Sequence, residues 1–101
     1  MQVIDRVRVV YVGLVRGSLG IPEEEVEVPA GSRVRDLLSL LVDRHGADFR
    51  NSLFRGNGEL RPLTRVYIGE VGIEELNGLD TEVDAQSGVY ILVASNPTQG
   101  G

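Results

Sequence analysis

One amphipathic helix pattern, set between segments with a period of two, constrains the fold of this chain most. Apolar residues recur at positions i, i+3, i+4, i+7 and i+8 in a single stretch, namely Val34, Leu37, Leu38, Leu41 and Val42. The pattern predicts a helix over residues 33–45, with Ser32 as the N-cap residue and Gly46 as a left-handed exit. The opposite side of this helix is polar, so only one of its faces packs against the rest of the protein.

The segments around this helix alternate apolar and polar residues, as half-buried strands do. Two such segments precede it, over residues 3–12 and 24–28, and we expect them to form a hairpin. The connection between them, residues 13–22, is rich in glycine and is not expected to form a stable helix. The later predicted elements are a short helical turn over 48–54, a strand over 66–71, an irregular turn or very short strand over 73–79 and a strand over 89–93.

This order of elements predicts an α+β fold, a mixed sheet of four or five strands packed on one main helix. The segment Val89–Val93 is apolar on both faces, which favours a central strand, parallel to the first strand if the two are neighbours. The predicted domain spans residues 1–93. Residues 94–101, which include Pro97 and two terminal glycines, are expected to form a flexible tail.

Composition excludes several kinds of protein and site. The chain has 101 residues, no cysteine and one histidine, so a cysteine nucleophile and a cysteine or multi-histidine metal site are excluded. Its net charge of −5 argues against DNA as a partner. No apolar stretch approaches the ~20 residues of a membrane helix, and the first residues lack a signal-peptide layout. We therefore expect a cytoplasmic protein without a membrane partner.

The two final residues, Gly100 and Gly101, are the most informative part of the sequence. At an average glycine frequency of about 7%, two terminal glycines arise by chance in roughly 0.5% of chains. No catalytic constellation occurs elsewhere in the chain. Residues without a Cβ atom can thread a narrow channel, so Gly100 would let the carboxylate of Gly101 enter a partner's active site. The alternative is a flexible end without chemistry.

All ten basic residues are arginine, and lysine is absent. Codon bias in a GC-rich genome is one explanation. The other is chemical, because a chain without lysine and cysteine has no strong side-chain nucleophile that could capture its own activated carboxylate.

A second candidate site lies on the strands. If Val89, Ile91 and Val93 face the core, Tyr90 and Leu92 lie on the opposite face of the sheet and could form a partner-binding patch with Tyr67. Alternatively, the segments after the helix fold over this face. The acidic run Glu23-Glu24-Glu25 is expected to be a solvated surface and not a docking site.

The chain resembles the ubiquitin-like β-grasp sulfur carriers, which include MoaD, ThiS, the small archaeal modifiers and the ubiquitin-related modifier, in several motifs and in the order in which these motifs follow one another. The motifs, which together cover nearly the whole length, are the opening strand and loop over residues 7–16, the segment over 28–38, Gly58-Glu59-Leu60-Arg61-Pro62, Leu76-Asn77-Gly78-Leu79-Asp80-Thr81 and Gly100-Gly101.

The resemblance implies a carrier that is not itself an enzyme and holds no cofactor. An E1-like activating enzyme would use ATP to adenylate Gly101, and a sulfur donor protein would then supply sulfur for a C-terminal thiocarboxylate. The acceptor would be molybdopterin, with the protein as small subunit of molybdopterin synthase beside the large subunit, or tRNA, through a tRNA-thiolation enzyme. The alternatives are a protein modifier joined through Gly101 to lysines of target proteins, and a binding module with an inert tail.

Overall fold

A computed structural model describes residues 3–94 of the chain. Its strands are β1 (Ile4–Gly13), β2 (Glu23–Pro29), β3 (Thr64–Ile68), β4 (Val71–Gly72) and β5 (Val89–Val93). Its helices are α1 (Leu14–Leu19), α2 (Val34–His45) and α3 (Ala47–Leu53), and two 3₁₀ turns follow β4, Ile73–Glu75 and Gly78–Asp80. No helix within the described residues is long and apolar enough to cross a membrane.

The five strands form one mixed sheet in the order β2-β1-β5-β3-β4. Strands β1 and β5 are parallel neighbours, with Tyr11 opposite Ile91, and the other adjacent strands are antiparallel. The predicted α+β class, the hairpin and the central place of the last strand are therefore confirmed. The end of β5, where the described chain stops, lies in the middle of the sheet.

Helix α2 packs on one face of the sheet through the stripe that the sequence indicates. Val34, Leu37, Leu38 and Leu41 are fully buried, and Val42 is partly buried. They meet the apolar residues of the strands, among them Val7, Val9, Val26, Val66 and Ile91. Because a strand presents alternate residues to one face, the intervening residues lie on the other face, away from α2.

The predicted N-cap of α2 is wrong by one residue. Arg33 occupies that position, and its main-chain N–H donates to the Asp36 carboxylate at 2.9 Å. The Ser32 hydroxyl donates instead to the carbonyl of Pro29 at 2.5 Å and so belongs to the preceding turn. The helix ends at His45, where Gly46 has a positive φ of +93°, but its ψ of −170° lies outside the predicted left-handed helical conformation.

The expectation that residues 13–22 form no helix is wrong. Helix α1 contains a single glycine, Gly17, while Gly13 and Gly20 flank it with φ of +80° and +77°. Burying Val15 contributes about 1.5–3 kcal/mol, which exceeds the roughly 0.5–1 kcal/mol that an internal glycine costs. Tertiary burial therefore stabilises a helix that local composition disfavours.

The predicted strand over residues 66–71 is two strands joined by a turn. Strand β3 ends at Ile68, Gly69 takes a φ of +60°, and β4 returns antiparallel with Val71 opposite Ile68. The segment over 73–79, predicted as an irregular turn or a very short strand, is irregular: it contains the first 3₁₀ turn and the start of the second, Gly78–Asp80. The predicted helical turn after α2 is confirmed as α3, which buries Phe49 and Leu53.

Candidate functional site

The sheet face away from α2, called the open face below, carries the predicted partner-binding residues. Tyr67 of β3 lies directly opposite Tyr90 of β5, and Leu92 lies two residues further along β5. All three side chains are half-buried. The structure thus brings Tyr67, Tyr90 and Leu92 together on one surface. The alternative, that the segments after the helix cover this face, is not what the structure shows, since Gly78–Asp80 packs against α2.

The open face has an apolar half and a charged half. Register places Val10 beside Tyr90 and Val12 beside Leu92, which extends the apolar half onto β1. In the charged half, Arg6 pairs with Glu27 at 3.4 Å and Arg8 with Glu23 at 3.0 Å. These exposed pairs contribute little to stability. A partner that buries apolar surface would therefore use the half centred on β5.

The described chain stops next to this apolar half. The Ala94 N–H donates to the Leu63 carbonyl at 3.0 Å, which holds the end of β5 against the segment before β3. Leu63 and Val12 are 40% and 42% exposed, large fractions for apolar side chains. A groove of about 460 Å³, called the exit groove below, lies here and is lined by Pro62, Leu63, Thr64, Val93 and Ala94 among others.

Gly13 approaches the same point from β1. It lies opposite Val93, and a Cβ atom on Gly13 would be 2.3 Å from the Val93 carbonyl oxygen. Only glycine fits there, so the close packing of β1 against the last residue of β5 depends on Gly13. The predicted sites at Gly100 and Gly101, like all of the predicted tail except Ala94, lie outside the described residues.

A polar cluster around Glu24 was missed in the sequence, where the acidic run was predicted to be solvated. The Glu24 carboxylate accepts hydrogen bonds from the Tyr11 hydroxyl at 2.5 Å and from Arg44 at 2.8 Å, and it contacts the His45 Nε2 at 2.6 Å. The side chain of Glu24 is only 15% exposed. The two-residue period could have revealed this, because it places Glu24 on the same inward face as Val26.

The cluster joins β1, β2 and the end of α2. Burial works against ionisation of Glu24, but the hydrogen bonds from Tyr11, His45 and Arg44 outweigh it and lower the pKa of this carboxyl. Burial and the bond to Glu24 raise the pKa of the Tyr11 hydroxyl, which stays neutral. Through these contacts the cluster links the β1–β2 hairpin to the end of α2 and stabilises their packing. Within residues 3–94 no group of three acidic or histidine side chains could hold a metal ion.

Sequence comparison and structure comparison give different results. No protein-family model matches the chain, and no curated protein matches its sequence. Solved structures do match. Small archaeal modifier protein 1 of Haloferax volcanii superposes with a TM-score of 0.77 at 18% identity, covering 90% of this chain and 99% of that one. Urm1 of Trypanosoma brucei gives a TM-score of 0.75 at 19% identity, covering 95% and 98%.

The chain has the ubiquitin-like β-grasp fold. A third β-grasp structure, a putative molybdopterin converting factor, subunit 1, from Pyrococcus furiosus, gives a TM-score of 0.67 at 25% identity, covering 90% of this chain and 99% of that one. All three matches span nearly the whole of both chains. The likeness that the sequence motifs indicated is therefore confirmed for the fold.

Proposed function

We propose that this β-grasp protein is a sulfur carrier whose Gly101 carboxylate is adenylated and then converted to a thiocarboxylate. The observation that carries the proposal is the pair Gly100-Gly101, which ends seven residues beyond Ala94, on a fold shared with a putative molybdopterin converting factor subunit and with a modifier protein. The protein would act as a carrier and leave catalysis to its partners.

The chemistry requires activation because a carboxylate is a poor electrophile. A Gly101 oxygen would attack the α-phosphorus of ATP on an E1-like enzyme, which releases pyrophosphate and leaves an acyl-adenylate. Hydrosulfide delivered by a donor protein would then attack the carbonyl carbon, AMP would leave, and loss of the proton on sulfur would give the thiocarboxylate. The absence of lysine and cysteine supports this proposal, since no strong side-chain nucleophile in the chain competes with the sulfur donor.

The dimensions of the chain limit where such an enzyme can touch the folded domain. Seven extended residues reach at most about 25 Å, so the enzyme's binding site for Gly101 lies within that distance of Ala94. The apolar half of the open face lies beside Ala94 and offers Tyr67, Tyr90 and Leu92. We propose that the activating enzyme binds there and that the same surface next meets the acceptor's enzyme, such as a molybdopterin synthase large subunit or a tRNA-thiolation enzyme.

The second candidate function is protein modification, which the name of the Haloferax volcanii neighbour favours. In that case a lysine amine of a target protein would displace AMP and form an isopeptide bond with Gly101. Both functions begin with the same adenylate and differ only in the nucleophile that follows.

The test is adenylation with ATP and an E1-like enzyme from the source cell, measured by the pyrophosphate that the reaction releases. We expect wild-type protein to support release and a chain lacking Gly100 and Gly101 to give none. Gly100→Val, which adds a branched side chain to the threading residue, should also fail, whereas Thr98→Ala should behave like wild type. Equal release with the wild-type and the shortened chain would refute the proposal.

A further inference from the structure

Strand β2 lies at one edge of the sheet. It pairs with β1 on one side, and among residues 3–94 no strand pairs with its other side. With seven residues it forms the longer of the two sheet edges, because β4 at the opposite edge has only two. A free edge presents main-chain donors and acceptors that another strand can bind. We call the outer side of β2 the β2 edge.

The hydrogen bonds at both ends of the hairpin show which main-chain groups of β2 face outward. The Tyr11 N–H donates to the Pro22 carbonyl and the Ala30 N–H to the Val3 carbonyl, both at 2.8 Å. Antiparallel strands bond through alternate residues, so the even-numbered residues of β2 bond to β1. The groups that face outward belong to the odd-numbered residues, namely Glu23, Glu25, Glu27 and Pro29. Proline has no N–H, so the row of donors ends with Glu27.

Strand β1 shows which side chains suit β2. On the open face it sets two arginines against glutamates of β2, and its valines face the core, in the order Arg6-Val7-Arg8-Val9. Glu25 lies between the two paired glutamates, is exposed and forms no ion pair with any residue over 3–94. Strand β2 therefore carries one more carboxylate on this face than β1 neutralises.

An apolar side chain borders the β2 edge on the other face of the sheet. Arg44 of α2 donates to Glu24 of β2 at 2.8 Å, so the end of α2 lies beside this strand. Leu40 lies one helical turn before Arg44 on the same side of α2 and is partly buried. A strand added to β2 would present alternate side chains to the carboxylates and to Leu40.

We propose that the β2 edge binds an extended segment of a partner protein in which basic and β-branched residues alternate, as they do in β1. The main chain of this segment would pair with Glu23, Glu25 and Glu27, and its basic side chains would meet their carboxylates. Its β-branched side chains would face α2. The net charge of −5 steers such a basic segment toward the protein.

Other occupants of the β2 edge are disfavoured by charge. A second copy of β2 would place glutamates opposite glutamates, which is destabilising across two strands. A nucleic acid would bring phosphates against the same carboxylates. The proposal requires no chemistry at Gly101.

The test uses the full-length ¹⁵N-labelled protein at about 50 mM salt, where surface charges are weakly screened. The probe is a blocked peptide of sequence Thr-Arg-Val-Arg-Val-Arg-Thr. One control peptide carries Gln in place of Arg. The other has the composition of the probe in the order Arg-Arg-Arg-Val-Val-Thr-Thr, which keeps the charge and loses the alternation. We expect both control peptides to bind markedly more weakly than the probe.

Exchange of amide hydrogens with water, measured by NMR, distinguishes an added strand from a peptide that adheres to the acidic surface. In the free protein the amides of Glu23, Glu25 and Glu27 should exchange fast, because they have no main-chain acceptor. At about 90% occupancy the probe should slow their exchange about tenfold, since only the free fraction exchanges. The second control peptide should leave these amides in fast exchange.

A charge-matched pair of variants provides the second arm. Glu25→Gln with Glu27→Gln should weaken binding of the probe about tenfold. Glu59→Gln with Glu74→Gln removes the same charge away from β2 and should change binding less than twofold. The comparison of peptides on the wild-type protein remains decisive even if a double variant misfolds.

Four results would overturn the proposal. The first is fast exchange of the three amides at millimolar probe, which would mean that the glutamates only keep the edge free of other chains. The second is equal slowing by the second control peptide, and the third is equal weakening by the two double variants. The fourth is slowing that grows with protein concentration without peptide, which would assign the edge to a second copy. None of them bears on adenylation of Gly101, so the failure of this proposal and that of the carrier proposal are distinguishable.

Discussion

Replacing Gly13 by alanine tests the packing that places the end of β5. Gly13 has φ +80° and ψ −142°, a backbone region that is essentially restricted to glycine and costs other residues about 1–3 kcal/mol. The new Cβ would also lie 2.3 Å from the Val93 carbonyl oxygen, which is main chain and cannot rotate away. Overpacking of this kind costs about 1–3 kcal/mol.

Two other glycines around α1 separate these costs. Gly20 has nearly the same φ, +77°, but no atom lies within 4 Å of a built Cβ, so Gly20→Ala carries only the strain of about 1–2 kcal/mol. Restricting the unfolded chain offsets about 0.4–1 kcal/mol in each case. Gly17 lies inside α1 in open space, and Gly17→Ala should stabilise the protein by about 0.5–1 kcal/mol.

The expected order of stability is therefore Gly17→Ala, wild type, Gly20→Ala and Gly13→Ala, with a net loss of about 3 kcal/mol for the last variant. Urea unfolding monitored by circular dichroism measures these free energies, and each kcal/mol corresponds to a shift in Tm of about 4–8 °C. If Gly13→Ala costs no more than Gly20→Ala, the close approach of β1 to Val93 is wrong.

Three further predictions concern the Glu24 cluster, the open face and the lysine-free composition. Because the pKa of Glu24 is lower in the folded protein than its ordinary value of 4.5, its bonds stabilise the fold above that pH and the contribution is lost as pH falls through the folded pKa. Glu24→Gln should cost about 1–3 kcal/mol at neutral pH, and its difference from wild type in urea unfolding should shrink as the carboxylate is protonated at acid pH; a constant difference would contradict the assignment. Leu92→Asp, assayed at a temperature at which circular dichroism shows it folded, should reduce adenylation at least tenfold as measured by pyrophosphate release, whereas Glu25→Gln on the charged half should leave the rate unchanged. Conjugates of this protein, if they form, should carry single copies and no lysine-linked ladder of its own copies on a denaturing gel, and a regularly spaced ladder would refute this.

The sequence predicted those elements whose pattern agrees with their tertiary surroundings. The α2 stripe is unambiguous because its five apolar residues fit one helical face, and the apolar run of β5 indicates a central strand, which lies between β1 and β3. The Tyr67, Tyr90 and Leu92 patch followed from alternation alone. Its neighbours Val10 and Val12 did not, because they depend on the parallel register of β1 and β5.

Where prediction failed, a long-range contact outweighed a local tendency. Helix α1 forms because Val15 is buried against the sheet, which the glycines around it do not reveal. Glu24 looks solvated in sequence because its partners Arg44 and His45 lie about twenty residues away, at the end of α2. The single strand predicted over 66–71 overlooked Gly69, whose positive φ makes the turn to β4.

The most direct test of the carrier proposal is the intact mass of the protein purified from its native cells under non-reducing conditions. We expect a fraction of molecules whose mass differs by one sulfur in place of one oxygen, with the change located at Gly101 by fragmentation. A mass without that change, together with target lysines that carry a C-terminal peptide of this protein ending in Gly101, would assign the protein to the modifiers. If neither signal is found, in the native protein or after incubation with ATP, an activating enzyme and a sulfur donor, the proposed role of Gly101 is contradicted.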